Sequence, residues 1–216
     1  LASKGGLVWV KSRNDTHQHH LMDTVRGANE MIASDADSDQ ATVANRITGF
    51  NSNGFNLGTA GQVNGTSAYD YASWTFRKQK GFFDIVEYTG NGSNRNISHN
   101  LGCQPGCIMI KRLDDPSDWI VYHEGFFDFQ GSNHYYGKLN KEDAALYGGS
   151  VWNNTEPTTT TFRVGTNGQV NQNGGSFIAY LFAGGPDRVT ATSRSVYFNG
   201  SADRLTVNSS DFEFGT

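Results

Sequence analysis

An all-β fold is what this sequence predicts, and three observations predict it. Apolar runs are short, rich in Val, Ile, Trp, Phe and Tyr, and bounded by Gly, Asn, Asp or Ser, the pattern of strands and turns. No segment holds a helical period beyond a single turn, and no heptad run is present. Most telling, the chain is written twice. Gly6 to Thr24 and Leu101 to His123 share an order: apolar run, Lys, Arg or Ser, a polar turn, apolar again. Phe55-Asn-Leu-Gly-Thr-Ala-Gly-Gln-Val-Asn64 pairs with Phe162-Arg-Val-Gly-Thr-Asn-Gly-Gln-Val-Asn171, and Tyr71 to Phe76 pairs with Phe177 to Phe182. The separation drifts from about 100 to about 107 residues, as a duplicated unit with small loop insertions requires. The expected fold is therefore two tandem β-sandwich-like repeats, residues 1–80 and 81–186, with a C-terminal hairpin.

In chain order, Leu7 to Val10 is the first strand, and Lys11 ends it. His17, His19 and His20 follow. Two imidazoles on one strand face are able to share a cation, but no carboxylate or cysteine stands at ligand spacing, so an exposed loop is expected. Asp35, Asp37 and Asp39 alternate like a calcium loop, yet the glycine and closing glutamate of that loop are missing, which predicts a solvated segment. Asn53-Gly54 between Phe50 and Phe55 marks a hairpin. Tyr69 to Phe76 is the long strand that closes the unit. Aromatics fall on both its faces, which predicts a central, doubly covered strand rather than a platform for sugar stacking.

The second unit opens with Phe82 to Tyr88, an alternating strand. Ile108 to Ile110 and Trp119 to Tyr122 flank the turn Asp114-Asp115-Pro116-Ser117-Asp118, whose acids bond back to local backbone. Lys141 to Leu146 is predicted to hold one helical turn, and Phe177 to Phe182 is the counterpart central strand. The two units are expected to pack side by side. Residues 187–194 read as a linker, and Ser195 to Val207 as a hairpin carrying Asn199-Gly200, which either packs on the repeats or opens a further domain.

Composition narrows the function. The 216 residues suffice for two small cores. Net charge is −4 with no basic patch, which argues against nucleic-acid binding, and no apolar run approaches the ~18 residues of a membrane span. Cys103 and Cys107 stand in a C-x3-C spacing. A bridge there needs a tight turn, which Pro105-Gly106 is able to supply, but no second pair completes a zinc site, and two free thiols are the expectation. No GxSxG, HExxH or phosphate-loop motif appears, so neither catalytic residues nor a cofactor or metal is expected. Asp114, Asp115 and Asp118 lie in a polar turn that offers nothing to raise a carboxyl pKa for acid catalysis. The chain starts Leu-Ala-Ser-Lys, without Met or a signal-peptide pattern, and reads as though it starts within a longer text.

The succession GLVWVKSRND, DTVRGAN, FNSNGFNLG, YASWTFRK, DIVEYTGNGS, ISHNLGCQPGCIMIKR, DWIVYH, VWNNTEPTTTTFRVG and FIAYLFAGG resembles a module of large virion proteins of tailed bacteriophages, common in phages of marine bacteria and cyanobacteria. It covers most of residues 5 to 185. SVYFNGSADRLTVNSSDFEFGT, residues 195–216, is similar to the opening of a concanavalin A-like (laminin G-type) domain. The resemblance implies a non-catalytic structural protein of the virion surface or tail (tail fibre, tailspike or appendage) that acts as scaffold and in host attachment. Its partners would be other virion proteins and its own copies, a trimer among the options, with a host-surface glycan as a further one. The alternative is an extracellular lectin-like module. In either case exposed tryptophans are the natural contacts, and Trp9, Trp119 and Trp152 are the candidates.

Overall fold

A computed structural model describes residues 1–65, 69–126 and 135–184, all within one compact unit spanning 1–185. The expected linker 187–194 and the C-terminal hairpin or laminin G-type opening 195–216 lie outside the described residues. The fold is all-β, as the short β-rich runs predict.

The first half contains β1 (Gly6–Ser12), β2 (His20–Asp23), β3 (Gly27–Ile32), β4 (Ala41–Thr42), β5 (Ile47–Phe50), β6 (Phe55–Leu57), the single turn α1 (Gly61–Asn64) and β7 (Tyr71–Arg77). Five of these strands form an antiparallel sheet in the order β4-β3-β2-β1-β7, while β5 and β6 pair as a separate ribbon across the Asn53-Gly54 turn. The second half contains β8 (Phe83–Thr89), β9 (Arg95–Ser98), β10 (Pro105–Arg112), β11 (Ile120–His123), β12 (Tyr135–Lys138), β13 (Leu146–Tyr147), α2 (Gly149–Trp152), β14 (Thr161–Val164), α3 (Gly168–Asn171) and β15 (Ser176–Ala183). Its sheet runs β13-β12-β11-β10-β15-β8, and β9 pairs with β14 as the ribbon. The helical turn expected at Lys141 to Leu146 is absent. Leu146 instead pairs with Tyr136 in β13, because burial-free polar residues gain nothing from one isolated helical turn.

The register superposes the two halves. Leu7 stands opposite Asp23 on one side and Phe76 on the other; Cys107 stands opposite His123 and Phe182. The aligned residues thus occupy equivalent lattice points, so β1, β2 and β7 correspond to β10, β11 and β15. The near-identical block has a local cause as well. The amide of Gly58 donates to the Arg46 carbonyl at 2.6 Å and that of Gly165 to the Val151 carbonyl at 2.7 Å. A Cβ at either glycine would collide with backbone, that of Asn45 or of Ser150. Asn64 and Asn171 then each donate from Nδ2 to the carbonyl of that same glycine at 2.7 Å.

Side chains alternate along each strand into two faces. The outer face of the first sheet (Val8, Val10, Met22) packs with Ile47 of the ribbon and Val63 of α1. The outer face of the second (Ile108, Ile110, Tyr122) packs with Ile97 and Phe162 of its ribbon and Val170 of α3. Between the sheets lies a third core, in which Leu7, Leu21 and Ile32 meet Phe83, Ile85, Trp119, Ile178 and Tyr180. The layers run ribbon, sheet, sheet, ribbon. The repeats therefore pack face to face and not side by side, because both inner faces are apolar and each buries its large side chains against the other.

Polar groups pin this interface. Tyr180 donates to Asp23 Oδ2 at 2.7 Å, Arg26 Nε bonds the same carboxylate at 2.6 Å, and Arg26 Nη2 donates to the Tyr180 oxygen at 3.0 Å. Trp119 Nε1 donates to the Ala33 carbonyl at 2.7 Å. Every buried member has a partner, which is the condition for such a network to specify one packing.

Candidate functional site: an aromatic notch beside a strand edge

β7 was expected to be central, like β15. It is an edge strand. β1 covers one side, and among the described residues no strand covers the other. The sequence carried a signal of this: on the outer face, Ala179 and Leu181 of β15 are replaced by Ser73 and Thr75. Both replacements are exposed, whereas Ala179 and Leu181 are buried.

On the inner face of β7, Trp74 is 47% exposed, the most exposed tryptophan in the described chain. Its ring meets Trp9 edge to face, with centroids 6.1 Å apart, and Trp9 meets His19 at 5.7 Å. With Phe76 these three side chains line an apolar notch of ≈ 240 Å³. Trp9 Nε1 donates to His19 Nδ1 at 2.8 Å, which fixes both rings. Burial, with Lys11 adding to it and Asp35 opposing it, holds the His19 pKa below its ordinary value, so the imidazole accepts this bond in its neutral form. The notch is an apolar concavity in which the Trp9 indole N–H and His19 Nδ1 already satisfy each other.

The three tryptophans named from sequence separate. Trp9 is half-buried and belongs to the notch. Trp119 is 0% exposed, sealed between the sheets, and Trp152 is 2% exposed in the outer core of the second repeat, facing Tyr122 at 5.8 Å. Neither is positioned as a surface contact; their areas are needed inside small cores. Trp74, missed as a candidate, takes their place.

The other constellations resolve into structure. His17 lies beside Asp15 at 3.5 Å. His20 is buried against Arg46, and burial, reinforced by that guanidinium, pushes its pKa down to about 4. No group of three His, Cys, Asp or Glu among the described residues is placed to hold a metal ion. Asp35 Oδ1 accepts the amide of His19 and the Asp37 carbonyl accepts that of Ser117, so the acidic segment works as a strap between loops.

In the second turn, Arg112 spans Asp114 at 3.0 Å and Asp115 at 2.9 Å. The Arg112 hydrogen bond holds the Asp114 carboxyl below the usual range. Burial pulls Asp118 upward, but bonds from Asn140 and Lys138 outweigh it and keep that carboxyl low too. Both shifts run opposite to the one an acid catalyst needs. Cys103 and Cys107 are separate thiols, and burial, with Glu124 nearby, pushes Cys107 up to about 11. Such a shift disfavours the thiolate, the reactive form of a cysteine. No described helix is long and apolar enough to cross a membrane.

No curated protein and no solved structure matches the chain. A family model does match, over residues 1–207, so the chain belongs to the family described as Domain of unknown function (DUF7483).

Proposed function

We propose that this chain is a non-catalytic structural module of a tailed-bacteriophage virion, at its surface or tail, acting as a scaffold on which recognition domains are mounted. The observation that carries the reading is where the large side chains go. Trp119, Tyr180, Phe83 and the buried Asp23–Arg26 pair fuse two repeats into one body, while the exposed carboxylates of Asp114 and Asp115 are tied to Arg112. Such a molecule spends its aromatic area on rigidity, which a load-bearing spacer needs. The resemblance of its motif order to virion modules supports the particle.

The test is light scattering on residues 1–216, with and without a panel of glycans. A closed oligomer, or a body indifferent to sugars that assembles with other virion proteins, is the expected result. A monomer that binds a glycan and loses tryptophan fluorescence would overturn it. The notch favours that second reading in one respect, because exposed Trp74 beside Trp9 is the kind of surface on which a sugar ring stacks. Against it, the notch offers almost no free hydrogen-bonding groups for hydroxyls.

A further inference from the structure

Among the described residues the outer edge of β7 is unpaired, and the geometry of its paired counterpart is displayed elsewhere in the same molecule. The amide of Lys78 donates to the Gly5 carbonyl and that of Arg13 to the Asp70 carbonyl, so the even-numbered residues of this stretch bond β1. In an antiparallel ladder the alternate residues then turn their N–H and C=O groups outward. These are Tyr71, Ser73, Thr75 and Arg77. In the second repeat the equivalent side of β15 is occupied. The amide of Ala183 donates to the Phe82 carbonyl and that of Gly90 to the Gly175 carbonyl, so the odd residues of β15 bond β8. Phe177, Ala179, Leu181 and Ala183 are the counterparts of Tyr71, Ser73, Thr75 and Arg77. Among the described residues, β15 has such a neighbour and β7 has none.

Edges left open are normally blunted. β4 and β13, the far edges of the two sheets, are two residues long, and β8 carries Asp84 and Glu87. β7 has seven residues in unbroken register with β1, no bulge, no proline and no charge before Arg77. Beside it stands exposed Trp74, whose counterpart Tyr180 is fully buried opposite Ile85.

We infer that the β7 edge, together with the Trp9–Trp74 notch, receives an antiparallel strand of the β8 type from a partner polypeptide. Its residues alternate as in Phe83-Asp-Ile-Val-Glu-Tyr88: an aromatic opposite Phe76, an aliphatic residue opposite Trp74 and over the notch, and an aromatic opposite Tyr71. The edge amides and carbonyls provide affinity and the notch provides selection, as in other strand-addition complexes. The inference rests on the internal symmetry and not on the virion reading; a glycan-binding module would need the same strand.

The probe is the sequence of residues 82–90 appended ahead of Leu1 through a flexible Gly/Ser linker, which raises its effective concentration to about the millimolar range. A scrambled version is the control. Hydrogen exchange by NMR should show the amides of Tyr71, Ser73, Thr75 and Arg77 newly protected, at least ~10-fold, with Trp74 emission shifted to the blue. Ser73→Pro removes an outward donor and leaves the β1 ladder intact, so it should cancel both changes. Thr75→Lys, which blunts the edge without altering backbone geometry, should do the same and serves if the proline variant misfolds. Four outcomes overturn the inference: no protection; equal protection by the scrambled segment; protection in the unextended chain at every concentration, which assigns the edge to another segment of this chain; or protection that grows with concentration, which assigns it to a second copy. The first three bear on neither oligomer mass nor sugar binding, and the fourth overturns this inference while leaving the scaffold reading to its own light-scattering test.

Discussion

β7 and β15 are the same strand in two settings. Each closes its repeat, and β7 pairs with β1 in the register in which β15 pairs with β10 over Cys107 to Arg112. β15 then receives β8 on its free side and the other sheet on its inner face, and becomes the most apolar segment of the molecule, Ser-Phe-Ile-Ala-Tyr-Leu-Phe-Ala. β7 receives neither in full and reads Tyr-Ala-Ser-Trp-Thr-Phe-Arg. Backbone pairing is thus indifferent to what lies beyond it, while side-chain identity tracks cover. Duplication preserved the ladder, and environment rewrote the letters.

The strongest way to sharpen that contrast is to remove one tryptophan from each setting. Trp119→Ala opens a cavity between the sheets and orphans the Ala33 carbonyl, and should cost ~3–5 kcal/mol in urea unfolding. Trp74→Ala, at the notch, should cost under ~1 kcal/mol. Equal losses would mean that the edge is covered after all.

Asp23 and His123 are also counterparts. Asp23→Ala strips a buried carboxylate from Arg26 and Tyr180 and should cost ~3 kcal/mol or more, because the guanidinium is left without its counter-charge. His123 is exposed and, among the described residues, its ring meets only its own turn, at the Gly125 amide and the Phe126 ring, so His123→Ala should fall within about 0.5 kcal/mol of the parent.

A subtler pair is Asn171 and Asn64. Both bond the repeated glycine, but only Asn171 is fully buried, where it also donates to the Ser93 carbonyl and accepts from the Asn91 amide at 3.0 Å. Asn171→Ala should cost ~2–3 kcal/mol and Asn64→Ala about 1 kcal/mol, measured by the same denaturation.

The smallest effect depends on pH. His20 has a folded pKa of about 4 against an ordinary 6.5, and Ile120 is its counterpart. The unfolded chain takes up a proton below 6.5 that the folded chain refuses, so the stability present above that pH is lost as pH falls toward 4. At pH 5 the loss should be ~1–2 kcal/mol. His20→Ile should flatten the slope between pH 4 and 6.5, and an unchanged slope would show that the imidazole is not held neutral by burial.

Much of this was legible beforehand. Short β-rich runs gave the fold class, Asn53-Gly54 gave a hairpin, and the repeated blocks aligned residues that the register later placed at equivalent points. The site was less legible. Trp119 and Trp152 were named as surface contacts although both are interior, because a tryptophan in a strand carries no mark of which side another sheet will cover. Trp74 sat in a segment read as core from its aromatics, and only the polar exchange at Ser73 and Thr75 argued otherwise.

The sequence by itself determined what is local or periodic: strand and turn chemistry, the alternation of faces, the glycine at which the backbone must approach closely, and the duplication. The tertiary structure decided what lies beyond each strand. Face-to-face packing, the Asp23–Arg26–Tyr180 network and the open edge of β7 all depend on contacts between residues far apart in the chain. Hydrogen bonding along a ladder is satisfied by a neighbour of almost any sequence, so the letters specify that a strand will pair long before they specify with whom.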